Sequence, residues 1–134
     1  MFLEKRNDTG FIKINDTVFG SIVSEALLKT STKAWPATDK AKLITGIAGI
    51  WPSAAEIADN LILTEENGVT CIKMCIVMSF GTSIKMATDI ILDYMEDKLK
   101  PMLPGVPCRI IIDIVGVKSK HIAPRDVEVI REWN

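Results

Sequence analysis

The sequence is poor in the residues that most catalytic and metal sites require. Its 134 residues include one histidine, one tyrosine and three cysteines. Because His121 has no acid or nucleophile linked to it in the sequence, we expect neither a histidine-based triad nor a multi-histidine metal site. Nearby Lys118, Lys120 and Arg125 could hold an anion, although a solvated segment is the simpler interpretation. We predict no catalytic residues, no metal and no cofactor, and therefore not an enzyme.

Disulfide chemistry is also disfavoured, because an odd number of cysteines without framework spacing is typical of a reducing compartment. Cys71 and Cys75 would lie about 6 Å apart on a helix, a spacing suited to metal or redox chemistry. On a strand they would lie about 13 Å apart, beyond the roughly 7 Å limit for a disulfide. Alternation over 69–80 favours the strand. We therefore predict structural thiols, and we expect Cys108 to be a core residue too.

Long apolar runs and an excess of either charge are both absent. The densest apolar stretch, 110–117, is interrupted by Asp113 and falls short of the roughly 18 residues of a membrane span. The chain becomes charged at Glu4, unlike a secretory signal. Sixteen basic and 17 acidic residues give a net charge of −1, which provides no overall attraction for nucleic acid. We expect a cytoplasmic protein without direct membrane insertion.

What the sequence does contain is the composition of a globular protein. It is 48% hydrophobic and 25% charged, and its length suits one domain with a packed core. We therefore treat residues 1–134 as a single domain. Within it, residues 31–59 are interpreted as an irregular insertion, with a short helix capped by Ser53, and residues 119–134 as a C-terminal tail.

Periodicity and turn residues predict a small set of helices and strands. Asn67-Gly68 supplies the positive φ angles of a tight hairpin turn, and Asn15 and Ser83 are candidate helix caps. The predicted elements are a strand at 10–14, a helix at 16–29, a hairpin of 61–64 with 69–80, a helix at 83–99 and a strand at 108–117. We predict an α+β fold, a two-layer sandwich with two main helices on one face of a mostly antiparallel sheet of about four strands. The element order matches a split βαβ, ferredoxin-like arrangement with a middle insertion.

The two strongest strands predict two apolar faces. One face would pack under the helices and contain Ile72, Met74, Ile76, Met78, Phe80, Ile110, Ile112 and Ile114. The opposite face would present Lys73, Cys75, Val77, Arg109, Ile111, Val115 and Val117. This second face is too apolar to stay in water, so either the 31–59 segment, with Trp35 and Trp51, or another protein chain must cover it. An apolar centre rimmed by charges favours a protein interface.

Two further motifs have simple interpretations. Asp89, Asp93 and Asp97 form an acidic stripe on the second helix, which we interpret as a solvated face rather than a cation site. Gly46-Ile-Ala-Gly49 formally matches the GxxG loop of KH modules, which clamp nucleic-acid backbone. Its neighbours offer phosphate little attraction, so nucleic-acid binding is the alternative function rather than the preferred one.

Several of these elements together resemble the alkaline shock protein family, the envelope-stress-response group of Gram-positive bacteria. The resemblance rests on Gly10-Phe-Ile-Lys-Ile14 before a helix and on Phe80-Gly81-Thr-Ser-Ile84 after an alternating strand, and it covers about residues 10–28 and 69–118. The chain departs from the family pattern in Lys29–Lys33 and at its two Trp-Pro pairs. The resemblance implies a cytoplasmic, non-enzymatic bacterial protein that self-associates or reaches the membrane through a small anchor protein. It supplies no catalytic residues.

Overall fold

A computed structural model describes the backbone of residues 2–7 and 10–134 and the side chains from Asn15 onward. The helices are α1 (Asp16–Leu28), α2 (Ala54–Ala58) and α3 (Ile84–Met102). The strands are β1 (Phe2–Asn7), β2 (Gly10–Asn15), β3 (Ala34–Ala37), β4 (Ile62–Glu66), β5 (Val69–Ser79), β6 (Cys108–Lys118) and β7 (Ile122–Trp133). The predicted α+β class is confirmed.

Side chains at the predicted caps begin the two long helices. The Asn15 carboxamide oxygen accepts a hydrogen bond from the Thr17 amide at 2.9 Å, and the Ser83 hydroxyl accepts one from the Met86 amide at 3.2 Å. Each bond satisfies an amide that has no partner within its helix. α3 runs three residues beyond its predicted end at 99, and the amide of buried Leu103 closes its last turn on the Leu99 carbonyl at 2.9 Å.

The main sheet has five strands rather than about four, and it is mixed, with three antiparallel pairings and one parallel pairing. β5 pairs parallel with β6, and β6 pairs antiparallel with β7. Along the other side of β5, β4 pairs with its first half and β3 with its second half, both antiparallel. β2 pairs with β1 in a separate two-stranded sheet. The predicted first strand therefore lies outside the main sheet, and the ferredoxin-like order is not confirmed.

The core lies between the main sheet and the helices α1 and α3. β5 and β6 contribute the alternating residues predicted for this face, Ile72, Met74, Ile76, Met78, Ile110, Ile112 and Ile114, all of which are buried. The helices contribute Phe19, Ile22, Val23, Ala26, Leu27, Ala87, Ile91, Leu92, Met95 and Leu99. Phe80, which we expected in this core, is exposed instead, because β5 ends at Ser79 and Gly81 turns the chain with φ +82°.

A close approach of α1 and α2 explains the glycine inside α1. A Cβ atom at Gly20 would lie 2.0 Å from the carbonyl oxygen of Ala54. α2 is fixed there by a capping box in which Ser53 and Glu56 each accept a hydrogen bond from the other's backbone amide. The lower helix propensity of glycine is therefore offset by a helix contact that no larger residue allows.

Two segments are more regular than the sequence predicted. The 119–134 segment is not a tail, because Ile122–Trp133 forms the edge strand β7. The 31–59 insertion contains β3, a 3-10 turn at Ile47–Gly49 and α2, whose predicted Ser53 cap is confirmed. An edge strand keeps many side chains in water, so the charges of β7 are compatible with a strand although they obscure its apolar pattern.

Candidate protein-interaction face

The surface of the main sheet that faces away from α1 and α3, here called the open face, carries the predicted site residues except Val117. A register shift after Ile114 pairs Val117 with the core residue Met78, so Val117 does not lie on this face. One half of it is covered by the chain itself. Val77 and Val115 are buried in a small second cluster, against which Trp35, Leu43 and Ile122 pack. Neither valine therefore presents a solvent-exposed surface.

Only one of the two tryptophans expected to cover this face lies on it. Trp35 in β3 packs on the Val77 cluster, and the Lys118 ammonium lies 5.0 Å from the centroid of its ring. Trp51 instead packs against the core under the helices, and its indole N–H donates a hydrogen bond to the Ser24 hydroxyl at 2.8 Å. The 31–59 segment therefore covers the open face only in part.

The other half of the open face carries a row of side chains that crosses four strands. Strand register places Ile62 of β4 beside Lys73 of β5, Lys73 beside Ile111 of β6, and Ile111 beside Ile130 of β7. Ile62 and Ile130 are each 53% exposed, while Ile111 and Lys73 are half-buried. We call these four residues the isoleucine row.

Charged side chains border the row on both sides. Towards the start of β6, the Arg109 guanidinium donates to Glu132 at 2.6 Å and lies 4.0 Å from Glu66. On the other side, register places Cys75, Asp113 and Glu128 side by side on β5, β6 and β7. The open half of the face is thus an apolar centre with a charged rim.

Asp113 is the most unusual member of this rim. Its Oδ1 atom is buried and has no hydrogen-bond partner among the described residues. Burial raises the pKa of its carboxyl, and the nearby Lys73 ammonium opposes that effect. Burial also raises the pKa of the adjacent Cys75 thiol, with a further contribution from the Asp113 charge.

The three cysteines are thiols rather than members of disulfides. Cys71 and Cys108 are buried and Cys75 is half-buried, and the strand assignment that separates Cys71 from Cys75 is confirmed. Among the side chains from Asn15 onward, no group of three or more histidine, cysteine or acidic residues is arranged to hold a metal ion.

The acidic stripe on α3 is more than a solvated face. Asp93 accepts from the Arg131 guanidinium of β7 at 2.6 Å, and Asp89 lies 3.7 Å from the same group. Asp89 also accepts from Lys85 at 2.8 Å. Sequence spacing alone could not reveal this contact, because Arg131 lies 38 residues from Asp93 in the chain.

The remaining sequence candidates lie at the surface. The Gly46–Gly49 loop closes on its own backbone, since the Gly46 amide donates to the Ile50 carbonyl at 2.7 Å, and its Ile47 side chain is exposed. His121 is exposed in the tight loop between β6 and β7, where its carbonyl accepts from the Ser119 amide at 3.1 Å.

Comparison of the chain with protein-family models, with curated proteins and with solved structures found no match. In the described part of the chain, no helix has both the length and the apolar character needed to cross a bilayer. Any function must therefore be argued from the residues themselves.

Proposed function

We propose that this chain is a non-enzymatic protein-interaction module of the alkaline shock, envelope-stress-response type. It acts in the cytoplasm by self-association, with a small membrane-anchor protein as a further partner. The isoleucine row is its contact surface. The sequence resemblance over residues 10–28 and 69–118 supports the family, and the open face supports the interaction.

The main evidence for this contact surface is the exposure of the isoleucine row. Ile62, Ile111 and Ile130 lie in one row across the sheet, with Lys73 between Ile62 and Ile111, and Ile62 and Ile130 are more than half exposed. Exposed apolar surface with charged residues around it is the usual anatomy of a protein interface. Arg109, Lys73 and Cys75 belong to the same open region, so they remain contact residues in the proposal. Val77 and Val115 are buried in the covered half and hold Trp35 in place beside the contact surface.

The charges on β6 favour a second copy of the chain as the occupant. Arg109 and Asp113 lie two residues on either side of Ile111, on the same face of the strand. A suitable dimer has a two-fold axis that passes through Ile111 and runs across the strands. Rotation about this axis places the isoleucine row of one chain on the row of the other, with the strands of the two chains running in opposite directions. This arrangement therefore brings Arg109 against the partner's Asp113, whose Oδ1 atom has no hydrogen-bond partner among the described residues.

Glutamate substitutions at the exposed ends of the row test this proposal. Ile130→Glu and Ile62→Glu should each shift the light-scattering mass towards the monomer, because a charge would be desolvated at the contact. Circular dichroism should remain that of the native fold, since both side chains already contact water. Val127→Glu is the matched control. Val127 lies on the same strand as Ile130, but it pairs with Ile114 and so belongs to the face of the sheet that is turned towards the helices. Equal masses for wild type and both row variants would contradict the proposal.

A further inference from the structure

One end of the molecule brings together loops that are far apart in sequence. The Ser79 amide donates to the Lys33 carbonyl at 2.8 Å, and the Phe80 amide donates to the Lys118 carbonyl at 2.9 Å. The loop after α1, the turn before α3 and the loop after β6 therefore meet where β5 and β6 end. We call this region the lysine end, comprising residues 29–33, 80–90 and 118–120.

The lysine end is basic and has few acids. Its lysines are Lys29, Lys33, Lys85, Lys118 and Lys120. The segments 26–38, 67–88 and 114–125 contain no aspartate or glutamate. Asp89 is the acid that α3 brings to this end, and it is already bound to Lys85 and Arg131. Although the whole chain has a net charge of −1, this end carries a local positive charge.

The most exposed large apolar side chains of the described residues lie at or beside this end. Phe80 is 74% exposed and Met86 is 67% exposed, both within the lysine end. Ile47 and Ile50, at 89% and 66%, belong to the loop that borders Lys118. Soluble proteins seldom expose several such side chains together unless that part of the surface binds a partner.

Two shallow clefts each place one of these apolar side chains beside a lysine. The first, about 200 Å³, lies between the end of α1 and the start of α3 and is lined by Thr30, Lys33, Thr82, Ser83, Met86, Ala87 and Ile90. The second, about 230 Å³, has Trp35, Ile50 and Lys118 among its lining residues. Lys33 and Lys118 are the only charged side chains among the described residues that line either cleft.

We propose that the lysine end docks the protein on the surface of an anionic lipid bilayer. Exposed aromatic and aliphatic side chains beside lysines are the composition that binds the headgroup region, where apolar burial and attraction to anionic lipid add together. Phe80, Met86, Ile47 and Ile50 enter the interfacial region, and the lysines contact the headgroups.

The kind of basic residue favours lipid over a protein or nucleic-acid partner. Lysine is a mobile point charge that suits fluid headgroups, whereas arginine suits the fixed geometry of carboxylates and backbone phosphates. All five basic residues of the lysine end are lysines, while Arg109 and Arg131 form ion pairs elsewhere.

Bilayer docking goes beyond the proposed function and does not depend on it. Lys73 of the isoleucine row lies six residues before Ser79, about 20 Å along β5. A bilayer at the lysine end therefore leaves the row free for a protein partner. A negative result for vesicle binding therefore does not contradict self-association through the isoleucine row, and a negative result for self-association does not contradict vesicle binding.

Sedimentation of the purified full chain with vesicles tests the proposal. Vesicles of phosphatidylcholine with about 30% phosphatidylglycerol should bind the protein at about 0.1 M salt and release it at about 0.5 M, where charge attraction is screened. Pure phosphatidylcholine vesicles should bind much less. Lys33→Gln and Lys118→Gln should each lower binding to the anionic vesicles about fivefold, and Phe80→Ala about tenfold.

Val127→Ala is the matched control, since Val127 is an exposed apolar residue outside both the lysine end and the isoleucine row, and this variant should leave vesicle binding unchanged. Circular dichroism of each variant separates lost binding from lost folding. Absence of binding to anionic vesicles would overturn the proposal, as would binding that the Phe80 and lysine variants do not weaken. Binding to polyglutamate or to an oligonucleotide, with none to vesicles, would assign the surface to another class of partner.

Discussion

The Arg131 guanidinium on β7 donates a hydrogen bond to Asp93 on α3 at 2.6 Å, joining the edge strand of the sheet to the longest helix. The same guanidinium lies 3.6 Å from Glu96 and 3.7 Å from Asp89. The hydrogen bond to Asp93 and the nearby negative charges raise the pKa of Arg131. The position of Ile130 in the open face is therefore supported by the neighbouring residue on the opposite face.

Removal of that guanidinium should loosen β7. We expect Arg131→Met to lower the free energy of unfolding by about 1 kcal/mol, the upper range for a partly exposed ion-pair group. Urea denaturation measures the change. Arg125→Met is the control, because the Arg125 guanidinium donates to the neighbouring Pro124 carbonyl rather than to α3. Equal stability losses in the two variants would contradict a specific role for Arg131.

Local patterns in the sequence are sufficient to predict the two long helices, the hairpin and the strands of the core. The caps at Asn15 and Ser83 and the Asn67-Gly68 turn act within a few residues, so their effect can be predicted without the fold. The residues predicted for the core face of β5 and β6 are also correct, up to Met78 in β5. The prediction that Phe80 lies in the core is wrong, because the alternation of apolar residues in the sequence continues to Phe80 whereas β5 ends at Ser79.

The remaining features depend on contacts between distant residues. The prediction of a tail at 119–134 is wrong because Arg125, Asp126 and Glu128 obscure the alternation of β7, which becomes meaningful only through its pairing with β6. β3 contains Pro36 and is only four residues long, so no periodic pattern could identify it. The partial cover of the open face follows from the position of Trp35 over Val77, and the sequence left open whether that cover was internal.

Gly20 should be intolerant of even the smallest side chain. In an exposed helix Gly→Ala stabilises, but a Cβ at Gly20 would lie 2.0 Å from the Ala54 carbonyl oxygen. We expect Gly20→Ala to lower the free energy of unfolding by about 2 kcal/mol, as overpacking does. Ser21→Ala, at the exposed neighbouring position, should be neutral or slightly stabilising. A stabilising effect of Gly20→Ala in urea denaturation would refute the close contact.

Cys71 and Cys75 should act as structural thiols. Replacing both with alanine should lower stability, mainly through buried Cys71, without changing metal content. Elemental analysis of the wild type and the double variant measures this directly. About one zinc per chain in the wild type, lost in the variant, would contradict the structural assignment.

The Asp113 charge should slow the alkylation of Cys75. Burial and Asp113 both raise the pKa of the Cys75 thiol, so little reactive thiolate is present at neutral pH. Asp113→Asn removes the charge and should increase the labelling rate about threefold at mildly alkaline pH. Mass spectrometry of the labelled peptide identifies the residue. Asp97→Asn, at an exposed position on α3, should leave the rate unchanged, and equal acceleration by both variants would exclude a local effect.

Asp113 should also make stability depend on pH in a predictable direction. Burial raises the pKa of its carboxyl in the folded state, so folding disfavours the charged form. That destabilisation is present above the folded pKa and is lost as the pH falls towards the unfolded pKa. Asp113→Asn should therefore be more stable than wild type at pH 7, and the difference should shrink towards about pH 4. Urea denaturation of dilute protein at both pH values checks it, and a variant less stable at pH 7 would contradict the account.

The isoleucine row is the proposed contact surface for self-association. Lys73 lies within the row, whereas Lys85 lies on α3 and is exposed. The most direct measurement is amine acetylation of the wild-type protein over a range of concentrations, with both lysines quantified in the same sample by mass spectrometry. We predict that acetylation of Lys73, relative to Lys85, falls as the protein concentration rises into the range where light scattering detects the dimer. A ratio that stays constant while the mass increases would place the self-association surface elsewhere and contradict the claim.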